Sequence, residues 1–323
     1  SLHIHLLAAP DFLGHPHAIS MASEYPDEVR RGLRLQGLGN QIIALLGGRS
    51  VHPVGARVGG FHRAPSKSEV AQLLVEAKSA VVDAEALLRW LVTIELPQEE
   101  QNFVSVALSE PDAYPVMGRQ IVSDNGLDLP IEQFEQRFEE LQVPHSTAFH
   151  ALLDGEPYLV GPLARLNINN NKLHSKVKVL CGELGVRFPS RNMFDSIVAR
   201  GVELLQMIRE SVVLLEQYQR PSQPWSEFSP KAGVAFGATC APRGMLWHRY
   251  QLDAEGKIQS AQIVPPTSQN QARIEADLYY SLNQFGLDRS QEAIKLHGEQ
   301  VIRNYDPCIS CATHFLDLRM KQV

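Results

Sequence analysis

Apolar side chains recur along this chain with two different periods, and those periods lay out its elements. Asp27 to about Gly47 is spaced as a helix. Ser66-Lys67-Ser68-Glu69 offers cap residues for a second helix to about Glu95, because a Ser followed three positions on by Glu can satisfy the free N–H groups of a helix start reciprocally. Val70, Leu73, Leu74, Ala77, Val81, Ala84, Leu88 and Leu91 then share one face, the core face. A third helix is predicted from Asn192 to about Tyr218, carried by Phe194, Ile197, Val198, Gly201, Leu204, Leu205, Ile208, Val212 and Leu215 and broken by Pro221 and Pro224. Strand patterns cover Phe103 to Leu108, Tyr158 to Ile168, Gly233 to Thr239, Met245 to Leu252 and Lys257 to Val264. The last two are joined by Asp253-Ala254-Glu255-Gly256 and predict a hairpin. After Pro265-Pro266 the helical period returns over Gln271 to Phe285 and Ser290 to Tyr305, where Asp306-Pro307 stops it. The predicted fold class is therefore mainly α with small β elements (α+β) around a helical-bundle core, as a single domain over 1–323. Pro221 to Pro230 is expected to be a long loop and not a linker, and internal repeats are absent.

Composition narrows the function. At 323 residues and 44% hydrophobic, the chain can bury a substantial core. A net charge of -6, with no Lys/Arg run interleaved with aromatics, argues against nucleic acid as a partner and for proteins or small molecules. No apolar stretch approaches the roughly 20 residues of a membrane span. The opening SLHIHLLAAPDFLGHPH has no basic region before an apolar run, so a cytoplasmic location is expected. Ser1 falls inside an apolar segment, an odd natural beginning, and further sequence upstream is expected.

Of the four cysteines, Cys181 and Cys240 stand singly, whereas Cys308 and Cys311 are spaced C-x-x-C inside Asp306-Pro307-Cys308-Ile309-Ser310-Cys311-Ala312-Thr313-His314. Two thiolates on one tight loop can hold a soft or borderline metal, with two further ligands from elsewhere. A zinc knuckle would need a second Cys/His pair, and His15 with His17 gives only a weak H-x-H. Metal ligation is the favoured expectation over a redox dithiol or an inert pair. Cys181, in the apolar run Val177 to Leu184, is expected to be a buried small hydrophobe. His3, His5, His15 and His17 are assigned to packing or capping. His52 and His62 are left off the metal.

The segment Asp306 to His314 resembles the D-P-C-x-x-C-x-x-H ending of [NiFe] hydrogenase large subunits. Other segments match in the same order: Leu6 to Phe12, Val51-His52-Pro53 with Gly59-Gly60-Phe61, Ala241-Pro242-Arg243-Gly244-Met245-Leu246, and Val264-Pro265-Pro266-Thr267-Ser268-Gln269-Asn270. The resemblance implies that family's large-subunit fold, and reversible heterolytic cleavage of dihydrogen to protons and electrons at a nickel–iron centre whose iron carries carbonyl and cyanide. It implies that Cys308 is a terminal nickel ligand and Cys311 a bridging one, the other C-x-x-C lying upstream of this sequence. Arg243, Asp306 and Asp11 match the canopy over the open metal position, Pro242 fixes the backbone beside Arg243, and Thr267 matches the hydroxyl that donates to a cyanide. His314 and the carbonyl of Leu246 are implied as ligands of a structural magnesium or iron ion. Phe315 to Val323 resemble a tail removed by a maturation endopeptidase.

A fixed guanidinium beside buried carboxylates can polarise dihydrogen, although an arginine is hard to deprotonate and is a weak candidate for the proton acceptor. Cys240 stands before Ala-Pro-Arg where the family usually has Glu, and is taken as a packing change. The sequence supplies no cysteines for iron–sulfur clusters, so electrons must leave through an iron–sulfur small subunit, with a flavin subunit using NAD(P) or a deazaflavin beyond it. Three alternatives stand beside this reading. Cys308 and Cys311 argue against a non-catalytic relative of the complex I type, the tail argues against a dihydrogen sensor, and a zinc-stabilised scaffold is separable by its metal content.

Overall fold

The computed structural model describes residues 1–146 and 148–307. Its helices are α1 (Ala9–Phe12), α2 (Ala18–Glu24), α3 (Pro26–Gly47), α4 (Lys67–Leu91), α5 (Pro162–Asn169), α6 (Ser175–Glu183), α7 (Ser196–Glu216), α8 (Pro266–Phe285) and α9 (Gln291–Arg303). Its strands are β1 (Ala56–Arg57), β2 (Gly60–Phe61), β3 (Val104–Ser109), β4 (Gln120–Ser123), β5 (Asp128–Pro130), β6 (Phe138–Leu141), β7 (His150–Leu153), β8 (Tyr158–Leu159), β9 (Gly233–Ala241), β10 (Gly244–Leu252) and β11 (Ile258–Val264). No helix among the described residues is long and apolar enough to cross a membrane. The chain divides into two compact units: Ser1–Ile94, His174–Val186 and Gly201–Lys231 form the first, and Glu95–Leu173, Arg187–Arg200 and the chain from Ala232 onward form the second.

The first unit is helical. Ser66 and Glu69 close the predicted capping box at the start of α4, with Ser66 Oγ accepting from the Glu69 amide at 3.2 Å and Glu69 Oε2 accepting from the Ser66 amide at 2.7 Å. Val70, Leu73, Ala77, Ala84, Leu88 and Leu91 are buried on the face the periodicity marks. A Cβ on Gly201 of α7 would lie 2.5 Å from Leu91 Cδ1, so the glycine permits this close approach. Arg34 of α3 forks onto Asp83 of α4 at 2.8 and 2.6 Å. The histidines of the opening segment pack and cap: His5 is fully buried and stacked on Trp90 at 5.9 Å, and His17 Nδ1 accepts from the Ser20 amide at the start of α2. Burial pushes the His5 imidazole down to about 4. Cys181 is buried in α6, and burial raises its thiol to about 11, so it packs as an inert small hydrophobe.

The second unit holds the larger sheets. β9, β10 and β11 form an antiparallel meander with β10 central, and β5-β4-β3-β8 form a four-stranded sheet in which β3 and β8 are parallel. β6 and β7 pair separately. Side chains from these strands meet in one apolar core around Trp247, whose indole stacks on Phe134 at 4.6 Å and donates from Nε1 to the Ile131 carbonyl at 2.8 Å. Cys240 packs against this cluster. The predicted strand from Tyr158 to Ile168 is a correction: pairing stops at Leu159 and α5 begins at Pro162. Gly161 at φ 123 turns the chain, Pro162 sits where a helix start has no use for its N–H, and Leu163, Ala164 and Leu166 are buried from a helix. α8 also starts earlier than predicted, at Pro266, so that Thr267, Ser268, Gln269 and Asn270 form its first turns.

Candidate active site

The predicted site residues of the second unit come from two places, the β9–β10 turn and the segment beyond α9. Gly244 pairs with Ala241, so Pro242 and Arg243 form a two-residue turn. Gly244 at φ 145 closes it in a space a side chain cannot share, since a Cβ there would lie 2.4 Å from Val160 Cγ2 and 2.9 Å from Pro266 Cβ. Gly161 passes close to the same turn, where a Cβ would lie 3.0 Å from the Arg243 carbonyl. Asn270 completes the clamp: its Oδ1 accepts from the Val160 amide at 2.9 Å, and its Nδ2 donates to the carbonyls of Val160 at 3.0 Å and Arg243 at 3.4 Å. Gln269 donates to the Met245 carbonyl at 2.6 Å. These two amides, fully or almost fully buried, fix the hairpin's backbone to α8.

α9 ends at Arg303, and Asp306, at φ 50, turns the chain away just before Pro307. Asp306 is 5% exposed and lies between two guanidinium groups. Arg243 Nη2 donates to Asp306 Oδ1 at 3.2 Å and Arg243 Nε donates to the Asp306 carbonyl, while Arg200 Nη1 stands 3.7 Å from Oδ2. Arg200 also donates to the carbonyls of Asn304 at 3.3 Å and Pro242 at 3.5 Å. Arg165 of α5 donates to Ala241 O at 2.8 Å and Pro242 O at 3.4 Å. Tyr305 is anchored by its hydroxyl, which donates to Asp277 Oδ2 at 2.7 Å. Burial drives the Asp277 carboxyl up against the pull of Arg273, whose Nη2 is 3.7 Å away, and drives the Tyr305 phenol well above its ordinary range. Both oxygens of Asp306 thus face cations, and the segment leading to Cys308 is held on both sides.

The remaining predicted residues are placed as follows. Thr267 is half-buried in the first turn of α8, and Leu246 lies in β10 opposite Thr239. Asp11 is in α1, in the first unit, and is 6% exposed. Cys308, Cys311, His314 and the tail Phe315 to Val323 lie outside the described residues. The donor set nevertheless suits a thiolate-bound metal: Cys308 directly follows the pinned Asp306-Pro307, and Asn304 beside it is 4% exposed with neither its Oδ1 nor its Nδ2 partnered among the described residues. Arg165, Arg200 and Asp277 lie outside every matched segment, 29 to 141 residues from Asp306 in sequence (306 − 277 = 29, 306 − 165 = 141), and only folding brings them near; Asn270 closes the matched segment Val264 to Asn270, which assigned it no part. His145, His150 and Glu275 form a further cluster that the sequence did not mark.

Comparison with known proteins bears on the family and the fold. The family model described as nickel-dependent hydrogenase matches residues 151–314. The chain is 30% identical over 322 residues to sulfhydrogenase 1 subunit alpha of Pyrococcus furiosus, covering 98% of this chain and 75% of that protein. It is also 30% identical over 320 residues to sulfhydrogenase 2 subunit alpha of the same organism, with the same two shares. An NAD+-reducing [NiFe]-hydrogenase solved in the dihydrogen-reduced state superposes with a TM-score of 0.86 at 23% identity, over 97% of this chain and 76% of that one. The reduced, active form of the Ni-Fe-Se hydrogenase of Desulfomicrobium baculatum gives 0.67 at 19%, over 92% and 72%. The two structures share the fold. The chain belongs to the nickel-dependent hydrogenase family.

Proposed function

We propose that this chain is the large subunit of a [NiFe] hydrogenase, cleaving dihydrogen heterolytically and reversibly and passing electrons to an iron–sulfur small subunit. The observation that carries this is Arg243 held on Asp306 directly ahead of the C-x-x-C, in a chain of this family. Cys308 and Cys311 would hold nickel, Cys311 being shared with iron, and two further thiolates would complete the ligand set. When bound, the nickel–iron centre supplies an open coordination position at which dihydrogen is polarised. Arg243 contributes a positive charge set in place before the reaction, so no reorganisation is needed as charge separates. Asp306 aims that guanidinium through two hydrogen bonds, and Asp11 is assigned to the same canopy. Pro242 restricts the turn and Thr267 donates its hydroxyl to a cyanide on iron.

His314 and the Leu246 carbonyl are assigned to a structural magnesium or iron ion, and a maturation endopeptidase is assigned to the removal of Phe315 to Val323. Both compact units belong, on this proposal, to one large-subunit domain, working in the cytoplasm with a flavin subunit that uses NAD(P) or a deazaflavin. The test is hydrogen uptake by the assembled, nickel-loaded complex. Cys308→Ser abolishes uptake if the assignment holds, and undiminished uptake refutes it. Mass spectrometry of the nickel-loaded subunit checks the tail, where an intact Val323 terminus contradicts processing.

A further inference from the structure

His145, His150 and Glu275 converge although 130 residues separate the first from the last (275 − 145 = 130). His150 opens β7 with a ring 6% exposed, Glu275 stands on α8 with its carboxylate 41% exposed, and His145 lies on the loop from β6 at 65%. Both imidazoles turn Nε2 toward one oxygen, His145 at 3.0 Å and His150 at 2.9 Å from Glu275 Oε1. Their rings are edge to face, 77° apart at 5.7 Å, so the two nitrogens approach from different directions instead of stacking. One ligand atom from each residue lies within 4.8 Å of the other two. None of the three is assigned a part in the nickel–iron centre above.

Two nitrogens and a carboxylate oxygen are the donors that zinc and its neighbours select, whereas magnesium and calcium take oxygen alone. Zinc–nitrogen and zinc–oxygen bonds of about 2.0–2.2 Å in a tetrahedron set ligand atoms roughly 3.3 Å apart. The two observed nitrogen–oxygen separations of 3.0 and 2.9 Å need to open by only a few tenths of an ångström to reach it. His150 is fixed by burial and Glu275 by its helix, so His145 alone must be ordered, and its exposure lets an ion enter from solvent. His150 Nδ1 is buried without a partner among the described residues, so the ring's one polar interaction is the one it makes at this cluster.

We propose that His145 Nε2, His150 Nε2 and a Glu275 carboxylate oxygen bind one divalent cation of the zinc class, with water as the fourth ligand. The ion ties His145, beyond the end of β6, to α8, the helix whose first turns clamp the Arg243 hairpin.

The test uses the assembled complex with its nickel–iron centre loaded, so that the thiolates are occupied. It is freed of loosely bound metal with a mild chelator and titrated calorimetrically with zinc chloride. The wild type takes up one zinc that His145→Ala and Glu275→Gln bind more weakly, by more than the roughly 10–100-fold that loss of an outer-shell partner costs. His145→Ala removes an exposed side chain and leaves the fold intact. Cobalt(II) in place of zinc shows no thiolate-to-cobalt charge-transfer absorption. No zinc uptake by the wild type, unchanged affinity in His145→Ala, or thiolate bands with cobalt would each overturn the site. Hydrogen uptake by the same samples reports separately on the hydrogenase assignment.

Discussion

Arg243→Lys isolates what the guanidinium does beyond carrying charge. The arginine makes two directed hydrogen bonds to Asp306, one to the backbone carbonyl and one to Oδ1, and a lysine keeps the charge but not the planar fork. On stability, the loss is bounded. Hydrogen bonds to charged groups are worth about 1.5–3 kcal/mol, but the Arg243 side chain is 35% exposed, so a lysine head group is solvated, and Arg200 remains 3.7 Å from Oδ2. We expect a cost of about 1–2 kcal/mol, small against the roughly 5–15 kcal/mol that holds a domain folded. On rate, removing one preorganised electrostatic group from a transition state typically costs about 10²–10³ in kcat, or about 2.7–4 kcal/mol. The rate effect is the larger, so the variant is folded, carries normal nickel and is slow. The assay is hydrogen uptake per nickel, with nickel measured by elemental mass spectrometry and stability by denaturant titration. Uptake per nickel within about threefold of the wild type would refute the assignment, since that ratio is worth only about 0.7 kcal/mol on the transition-state scale.

Gly244→Ala places a Cβ 2.4 Å from Val160 Cγ2 at φ 145, and backbone strain with overpacking lowers stability by about 2–4 kcal/mol, read as a fall in Tm. Asn270→Ala strips the Val160 N–H and carbonyl of their buried partner, at about 1–3 kcal/mol per orphaned group, and lowers uptake per nickel as the Arg243 turn loosens; unchanged stability and uptake would contradict the clamp. His5 gives a pH prediction. Its folded pKa is depressed to about 4 against about 6.5 in the unfolded chain. The unfolded chain therefore binds the proton first on acidification, and the contribution of neutral His5, complete above about pH 6.5, is lost as pH falls toward 4. Between pH 7 and 5 that is about 2 kcal/mol of denaturant-measured stability, absent in His5→Leu.

How much of this was legible in sequence depended on the distance over which each signal is written. The α4 capping box and buried face are local, lying within one helix, and were read correctly down to Ser66 and Glu69. The β10–β11 hairpin was legible for the same reason, with both strands and their connection contiguous. The misread segment, 158–168, mixes a two-residue strand with a short helix, and a run of apolar residues that short carries no decisive period. β4 to β7 were missed because each has four residues or fewer, too short for an alternating period to stand out. At the site, motif order pointed to Arg243 and Asp306, which the fold brings within hydrogen-bonding distance. Arg165 and Arg200 were invisible, and Asn270 stood in a matched segment without an assigned part, because a buried arginine or asparagine is indistinguishable in sequence from an exposed one until its carbonyl partners are known.

Arg165 and Arg200 explain how the Arg243–Asp306 pair is held. Asp306 places one carboxylate oxygen near each of two arginines, an arrangement that gains little stability because burying Asp306 and Arg200 costs about as much as their attraction returns and Arg243 is partly solvated. Its effect is on position. Arg200 reaches from α7 to the Asn304 and Pro242 carbonyls while facing Asp306, and Arg165 reaches from α5 to the carbonyls of Ala241 and Pro242. The turn bearing Arg243 is thereby tied to α5 and α7 and the segment bearing Asp306 to α7, and neither can shift without breaking hydrogen bonds made by buried guanidinium groups. A charge aimed at a reacting centre must keep its place when the centre's own charge changes, since a group free to relax returns in reorganisation what it gives in attraction. On the proposed assignment of Arg243, pinning the turn before it and the segment that carries Asp306 through their backbone carbonyls meets that requirement.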